Sequence, residues 1–268
     1  MNRLAPRTKE YLRSRTAFFN LGAVNSETSV QPTPQGPACQ RSKLSCMNPR
    51  EDQPRLTIRT MTDYLTATGA HQRFTILENM RNQLGRRRFA PYYQRARMAI
   101  RAFHSGTPDA LNAEIARLLR QLRDESRPSE IGKVNGNLRV LTDYDEHFAD
   151  EPLVHEGGQF EPLVIHGVRI STEPTLTGTI SAGRGRRMPC NVIVDTQAEA
   201  PDGAEIDFVL ELLHRGSGQT HPCPPRGAQY WHPGSGDSWT LTSPSVRRWR
   251  DIEAACREVA LRWPTIQS

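Results

Sequence analysis

Leu163–Thr172, LVIHGVRIST, and Asn191–Thr196, NVIVDT, decide how this chain is read. Both are rich in β-branched residues, and the first is apolar on both alternating faces, the texture of a strand covered on two sides. Asn137–Thr142, NLRVLT, has the same texture, so the sequence predicts three strands from Asn137 onward. Gly183-Arg184-Gly185-Arg186-Arg187 falls between the second and third as a connecting loop. Residues 203–214, GAEIDFVLELLH, set Ile206, Val209, Leu210 and Leu213 at helical spacing after Asp202 and before Gly216, which predicts a helix. Gln229–His232 and Ser238–Leu241 flank Pro233-Gly234-Ser235-Gly236-Asp237 and predict a hairpin. A final helix opens at Ser243-Pro244 and carries Val246, Trp249, Ile252, Cys256, Val259 and Trp263 on one stripe.

Upstream of Ile131 the apolar period is helical. Phe74, Leu77, Met80 and Leu84 step by three and four, and so do Tyr92, Ala96, Ile100 and Phe103. Thr107-Pro108-Asp109 is a helix start, and Leu111, Ile115, Leu118 and Leu122 follow as its buried stripe. Three short helices in series are expected between Thr62 and Leu122. Residues 25–56, by contrast, hold Pro32, Pro34, Pro37, Pro49 and Pro54 among polar residues, a composition that cannot bury enough surface to offset its ordering entropy. Residues 1–60 are therefore expected to be a disordered basic leader. An alternative reading is a miscalled start, with translation beginning at Met61 and Thr62-Asp63 opening the first helix. The expected architecture is one α+β domain over 61–268. A helical part (61–130) packs on a mainly antiparallel sheet part (131–268), closed by the C-terminal amphipathic helix.

Charge is unevenly distributed. The formal net charge of +6 lies entirely in residues 1–60, which carry 10 basic and 4 acidic side chains, while residues 61–268 balance 25 against 25. Any attraction for a polyanion must then come from a local patch. Arg86, Arg87, Arg88, Arg95, Arg97 and Arg101, with Tyr92 and Tyr93 interleaved, form the strongest such run, combining phosphate-pairing guanidinium groups with stacking rings. The segment 140–211 is the acidic counterpart, with 14 acidic and 4 basic residues. No apolar run approaches the roughly 18 residues that span a bilayer, so no membrane role is expected. The five cysteines form no CxxC pair or disulfide framework, which fits a reducing cytoplasm.

Metal chemistry has few handholds. His214, His221, Cys223 and His232 match no zinc spacing, and Asp143, Asp145, Glu146, Asp150 and Glu151 lack the glycine-punctuated pattern of a calcium loop, so they read as a solvated acidic turn. His166 reads as a core histidine among Val164, Val168 and Ile170.

From Asn137 the order strand–strand–strand–helix–strand resembles the core of the PD-(D/E)xK nuclease superfamily. That resemblance puts the family's Pro-Asp at Glu173-Pro174-Thr175 and its acid-x-Lys at Asn191–Asp195. It implies Glu173 and Asp195 as the carboxylates of a magnesium site for phosphodiester hydrolysis. The motif lysine has no counterpart: Lys9, Lys43 and Lys133 all lie elsewhere, and the nearest cation on the second strand, Arg169, stays protonated and can hold phosphate only as a cation. The resemblance thus implies a degenerate, inactive relative. The chain is also similar to bacterial proteins that join such a sheet to an arginine-rich helical front end. The expected function is non-catalytic binding of nucleic acid, or of a protein already on it, through the Arg86–Arg101 face and without a cofactor. A magnesium-dependent nuclease and a protein-interaction module using the acidic sheet half are the alternatives. The sequence leaves the oligomeric state open.

Overall fold

A computed structural model describes residues 53–84, 92–183, 185–217 and 220–266. Chain order begins with strand β1 (Arg55–Thr57) and helices α1 (Ile58–Thr66), α2 (Ala70–Leu84), α3 (Gln94–His104), α4 (Ala110–Asp124) and α5 (Pro128–Phe148). Strands β2 (Leu153–His155), β3 (Leu163–Ile165), β4 (Val168–Ser171), β5 (Leu176–Ser181) and β6 (Arg187–Val194) follow. Helix α6 (Gly203–Ser217), strands β7 (Ala228–His232) and β8 (Asp237–Thr240), and helix α7 (Val246–Arg262) complete the fold, which is α+β as expected.

The strands form two sheets. A three-stranded sheet has the order β1-β4-β3, and a five-stranded one the order β2-β5-β6-β7-β8. Four pairings are antiparallel; β1 with β4 and β6 with β7 are parallel. Alternation along β6 and β7 separates two cores. Val192, Val194 and Trp231 face α3, α4 and α5, where Ala96, Ile100, Leu118, Leu141 and Tyr144 are buried. Ala228 and Tyr230 face the other way, toward a core shared by α1, α6, α7 and the β3–β4 hairpin. A Cβ at Gly178 on β5 would collide with the Val154 carbonyl oxygen, so only glycine lets β2 close on that strand.

Several sequence expectations fail for identifiable reasons. Asn137–Thr142 lies inside α5, because Val134, Asn137, Leu141, Tyr144 and Phe148 make a helical stripe that the short window of β-branched residues hides. The helical part therefore runs to Phe148 instead of ending at 130. Leu163–Thr172 is two strands: Ile165 pairs with Val168, and His166 (φ 49°) and Gly167 (φ 81°) form the two-residue turn between them. His166 is an exposed turn residue, not a core histidine, and accepts at Nε2 from Arg257 Nε at 3.1 Å. Among the described residues four helices, not three, occupy the front end, since Ala67–Gly69 separates α1 from α2. Tyr92 is 43% exposed instead of core. Helix α4 starts at Ala110, and its N-cap Asp109, two residues past the expected Thr107 cap, makes no side-chain cap bond. The expected boundary at 60/61 is also wrong: Arg55–Thr57 pairs with β4, Leu56 and Ile58 are buried, and Thr57 Oγ1 caps α1 by accepting from Thr60 N at 3.1 Å.

Three further expectations of secondary structure agree with the structure, while the disordered leader expected over residues 1–60 lies outside the described residues up to residue 52. Residues 203–217 are helical, the Gln229–Leu241 segment forms the β7–β8 hairpin, and α7 buries Ile252, Cys256 and Val259 behind a Ser245 cap. Val246 is the exception on that stripe, being exposed. Among the described residues no helix is long and apolar enough to cross a membrane.

The α3–α5 core contains one ionisable side chain with a clear consequence. His104 is buried, with Nδ1 at 3.0 Å from Leu153 O and Nε2 at 2.7 Å from Tyr144 Oη. Burial pulls its pKa below the ordinary histidine value, against the pull of the Leu153 carbonyl. His155 and His214 are depressed by burial as well. A depressed folded pKa means that the unfolded chain binds more protons in the window just below about 6.5, so stability falls as pH drops through it. Urea midpoints are expected to decline from pH 7 to pH 5, and His104→Gln should flatten part of that decline. A variant profile parallel to the wild type would show that His104 takes up its proton equally in the folded and unfolded states.

Candidate nucleic-acid interface

Two parallel strand pairs bring their carboxyl ends to one side of α3. There Thr57 and Ser171, at the ends of β1 and β4, and Val194, at the end of β6, border a cavity of about 630 Å³. Its charged lining is Arg59, Arg97, Arg101, Glu173 and Asp195, and Tyr93 and Tyr230 supply rings. The arginines and the two carboxylates, assigned by sequence to different readings, thus share one site.

Helical spacing explains the arginine side. Arg97 and Arg101 are one turn apart on the face of α3 that lines the cavity, whereas Arg95 lies on the opposite face and donates through Nη1 to Gln121 Oε1 of α4. The expected single arginine face is therefore divided, and Arg86, Arg87 and Arg88 lie outside the described residues.

The segment Ser171–Thr175 carries the chain from the smaller sheet into the larger one, and Arg101 clamps it. Its Nε donates to Thr175 O at 2.8 Å and its Nη2 to Pro174 O at 3.1 Å and Glu173 Oε1 at 3.0 Å. Thr175 N bonds Val192 O and Thr175 Oγ1 accepts from Val194 N, which registers the crossover on β6. Asp195, just past β6, accepts from Tyr230 Oη and from Gln197 N at 3.1 Å. Burial, reinforced by the Asp195 charge, raises the Tyr230 pKa, so the phenol remains a donor at any physiological pH. Arg59 pairs with Asp63 at 3.1 Å and donates to Gln197 Oε1 at 3.1 Å.

That leaves Arg97. Among the described residues its guanidinium makes no hydrogen bond and no ion pair. The surrounding walls and the Arg101 charge pull its pKa below the ordinary value, while Asp195 and Glu173 pull it back, yet an arginine this far from neutrality stays charged. Arg59 and Arg101 are each matched by a carboxylate, Asp63 and Glu173, whereas Asp195 is held by the neutral donors Tyr230 and Gln197, so among the described residues Arg97 and Asp195 are the cavity charges without an ion-pair partner. The neighbouring donors Thr57 and Tyr93 leave room for an oxygen-rich anion.

The carboxylates fit a magnesium ion poorly. Glu173 is occupied by Arg101, Asp195 by Tyr230, and a cation between them would face Arg97. Elsewhere among the described residues no three His, Cys, Asp or Glu side chains are grouped to hold a metal, and the His214, His221, Cys223 and His232 set does not converge. Sequence reasoning missed Arg59 because it falls in the segment read as leader. It missed Tyr230 because only the parallel register of β6 with β7, Ile193 opposite Tyr230, brings that ring beside Asp195. Set against protein-family models, curated proteins and solved structures, the chain matches none of them.

Proposed function

We propose that this protein binds nucleic acid without cleaving it, in a reducing compartment such as the cytoplasm, through the cavity between α3 and the carboxyl ends of β1, β4 and β6. The observation that carries this reading is the guanidinium of Arg97, which lines the cavity beside Tyr93 and makes no hydrogen bond or ion pair among the described residues. A phosphate is the anion whose geometry a guanidinium suits, and Tyr93 offers a ring against which a base can stack. Because residues 53–268 carry 27 basic against 25 acidic side chains, affinity rests mainly on this local contact and belongs in roughly the 10⁻⁴–10⁻⁶ M range of non-specific binding.

Fluorescence anisotropy with a labelled single-stranded oligonucleotide tests it. Arg97→Glu is expected to weaken binding about tenfold or more and to flatten its salt dependence, while Arg95→Glu, on the opposite face, leaves both unchanged. Affinity indifferent to Arg97→Glu would sink the proposal.

Two of the strands on which the nuclease resemblance rested are replaced, since Asn137–Thr142 is helical and Leu163–Thr172 is a hairpin of the smaller sheet. Even so, β2, β5 and β6 followed by α6 and β7 keep a strand–strand–strand–helix–strand order, and the presence of Glu173 and Asp195 in one cavity favours a metal-dependent nuclease as the second reading. With both carboxylates engaged and no lysine beside them, no magnesium-dependent cleavage of DNA or RNA is expected. Cleavage abolished by Glu173→Gln or Asp195→Asn would put that second reading first.

A further inference from the structure

Arg97 and Asp195 line one cavity with opposite charges, and they form no ion pair with each other, although the Asp195 charge reaches Arg97 and favours its charged form. A phosphate at Arg97 accounts only for the first. An unmatched carboxylate beside a bound polyanion repels it, so Asp195 weakens the site unless the ligand brings it a donor. The carboxylate is held ready to receive one. It is half-buried just past the end of β6, and each of its oxygens already accepts one hydrogen bond, Oδ2 from Tyr230 Oη and Oδ1 from Gln197 N at 3.1 Å. Those two bonds fix its orientation, and roughly half of its acceptor sites remain open. Tyr230 is itself buried, with its ring centre 6.0 Å from that of Trp239, so the group that orients Asp195 is anchored in turn.

From this arrangement we propose, resting on the nucleic-acid reading above, that the strand bound in this cavity is RNA, with the ribose 2′-hydroxyl of the nucleotide held at Arg97 donating a hydrogen bond to Asp195. That hydroxyl sits on the ribose carbon next to the one bearing the 3′-phosphate, so a cation for the phosphate and an acceptor close by grip adjacent groups of one nucleotide. It is present on every ribonucleotide and absent from every deoxyribonucleotide, which makes it the donor by which a protein tells the two apart. Amino and imino groups of the bases are the other donors a strand offers, but they differ from base to base, whereas a base stacked on Tyr93 is held by its face whatever its identity. With DNA in the cavity Asp195 gains no partner and faces the phosphate charge, so the carboxylate that favours RNA opposes DNA. The volume of about 630 Å³ suits a single unpaired nucleotide.

The experiment varies the sugar alone. Affinities of the full chain for three dye-labelled octamers are measured by anisotropy: oligouridylate, its 2′-deoxy counterpart, and its 2′-O-methyl counterpart, which keeps the oxygen but lacks the donor hydrogen. The base is the same in all three, so a contact to uracil cancels. The ribose octamer is expected to bind about tenfold more tightly than either analogue, as befits a hydrogen bond to a charged acceptor. Asp195→Ala should bring the ribose octamer down to the deoxy level and leave the deoxy affinity unchanged or raised, because a repelling charge is gone. Asp195→Asn, which keeps an acceptor oxygen without the charge, should retain part of the preference, and urea midpoints confirm that each variant is folded. The 2′-O-methyl comparison needs no variant, so it tests the proposal even if both substitutions unfold the chain. Equal affinity for the ribose and deoxy octamers, with Arg97→Glu weakening both, overturns the choice of RNA and leaves the nucleic-acid reading standing. A 2′-O-methyl octamer bound as tightly as the ribose octamer, or a preference that survives Asp195→Ala, overturns the role of Asp195 in the same way. Binding that ignores Arg97→Glu, or no binding of any octamer, overturns both.

Discussion

Replacing Glu211 by Ala is expected to lower the unfolding free energy by about 3–5 kcal/mol, read as a shift of the urea midpoint at constant slope. Glu211 sits on α6 with no exposed surface, yet it carries a charge. Its Oε1 accepts from Arg215 Nε at 2.7 Å, and its Oε2 accepts from Ser245 N at 2.9 Å. Arg248 Nε lies 3.6 Å away, too far for a hydrogen bond but close enough for charge contact. Arg248 reaches Asp207 at 2.7 Å, and Arg215 lies over the Trp249 ring at 4.5 Å. The carboxylate therefore joins α6 to the capped start of α7. Removing it leaves the Ser245 N–H without an acceptor and two partly buried guanidinium groups without their shared counter-charge, which is the costly way to break such a cluster. Glu211→Gln, which keeps an acceptor but not the charge, should lose about half as much. A loss under about 1 kcal/mol for the alanine variant would mean that Arg215 and Arg248 find other partners or reach water.

That cluster shows what the sequence could and could not disclose. Helices α6 and α7 were legible because their apolar stripes recur over four or five turns, and the β7–β8 hairpin because its turn residues sit between two aromatic segments. The ion cluster joining the two helices was not, since Glu211 reads as one more acid in an amphipathic run until Ser245 is brought to it across 34 residues. The false strand at Asn137–Thr142 and the single long strand at Leu163–Thr172 failed through the size of the window. Six residues of mixed texture do not separate a helix face from a strand face, and His-Gly at 166–167 is a weaker turn signal than Asn-Gly although it adopts the same positive φ. The candidate site divides in the same way. Arg97, Arg101, Glu173 and Asp195 were named from residue type and run, but their meeting in one cavity depends on α3 packing against the carboxyl ends of strands from both sheets. Pairing decided at a distance of 70 or more residues, as between Arg101 and Glu173, leaves no local trace.

A chain that begins at Met61 is expected to be at least about 4 kcal/mol less stable than the full chain, close to the whole margin of many domains. Translation from Met61 would omit β1, the buried side chains Leu56 (2% exposed) and Ile58 (6% exposed), and the Thr57 cap of α1. Each buried aliphatic residue lost from a packed core costs about 2–5 kcal/mol, and a lost cap about 1. Strand β4, now between β1 and β3, would become an open edge carrying Ile170, which adds a tendency to self-association. Leu56→Ala in the full chain isolates one part of the effect and should cost about 2–4 kcal/mol. Identical urea midpoints for the full chain and the chain from Met61 would show that β1 contributes nothing to the fold. The same truncation removes Thr57 and Arg59 from the cavity wall, so oligonucleotide binding should fall along with stability. Arg59→Gln in the full chain distinguishes the two causes: Arg59 is partly exposed at the surface and its replacement should leave the midpoint nearly unchanged, so any loss of binding it produces comes from the cavity and not from unfolding.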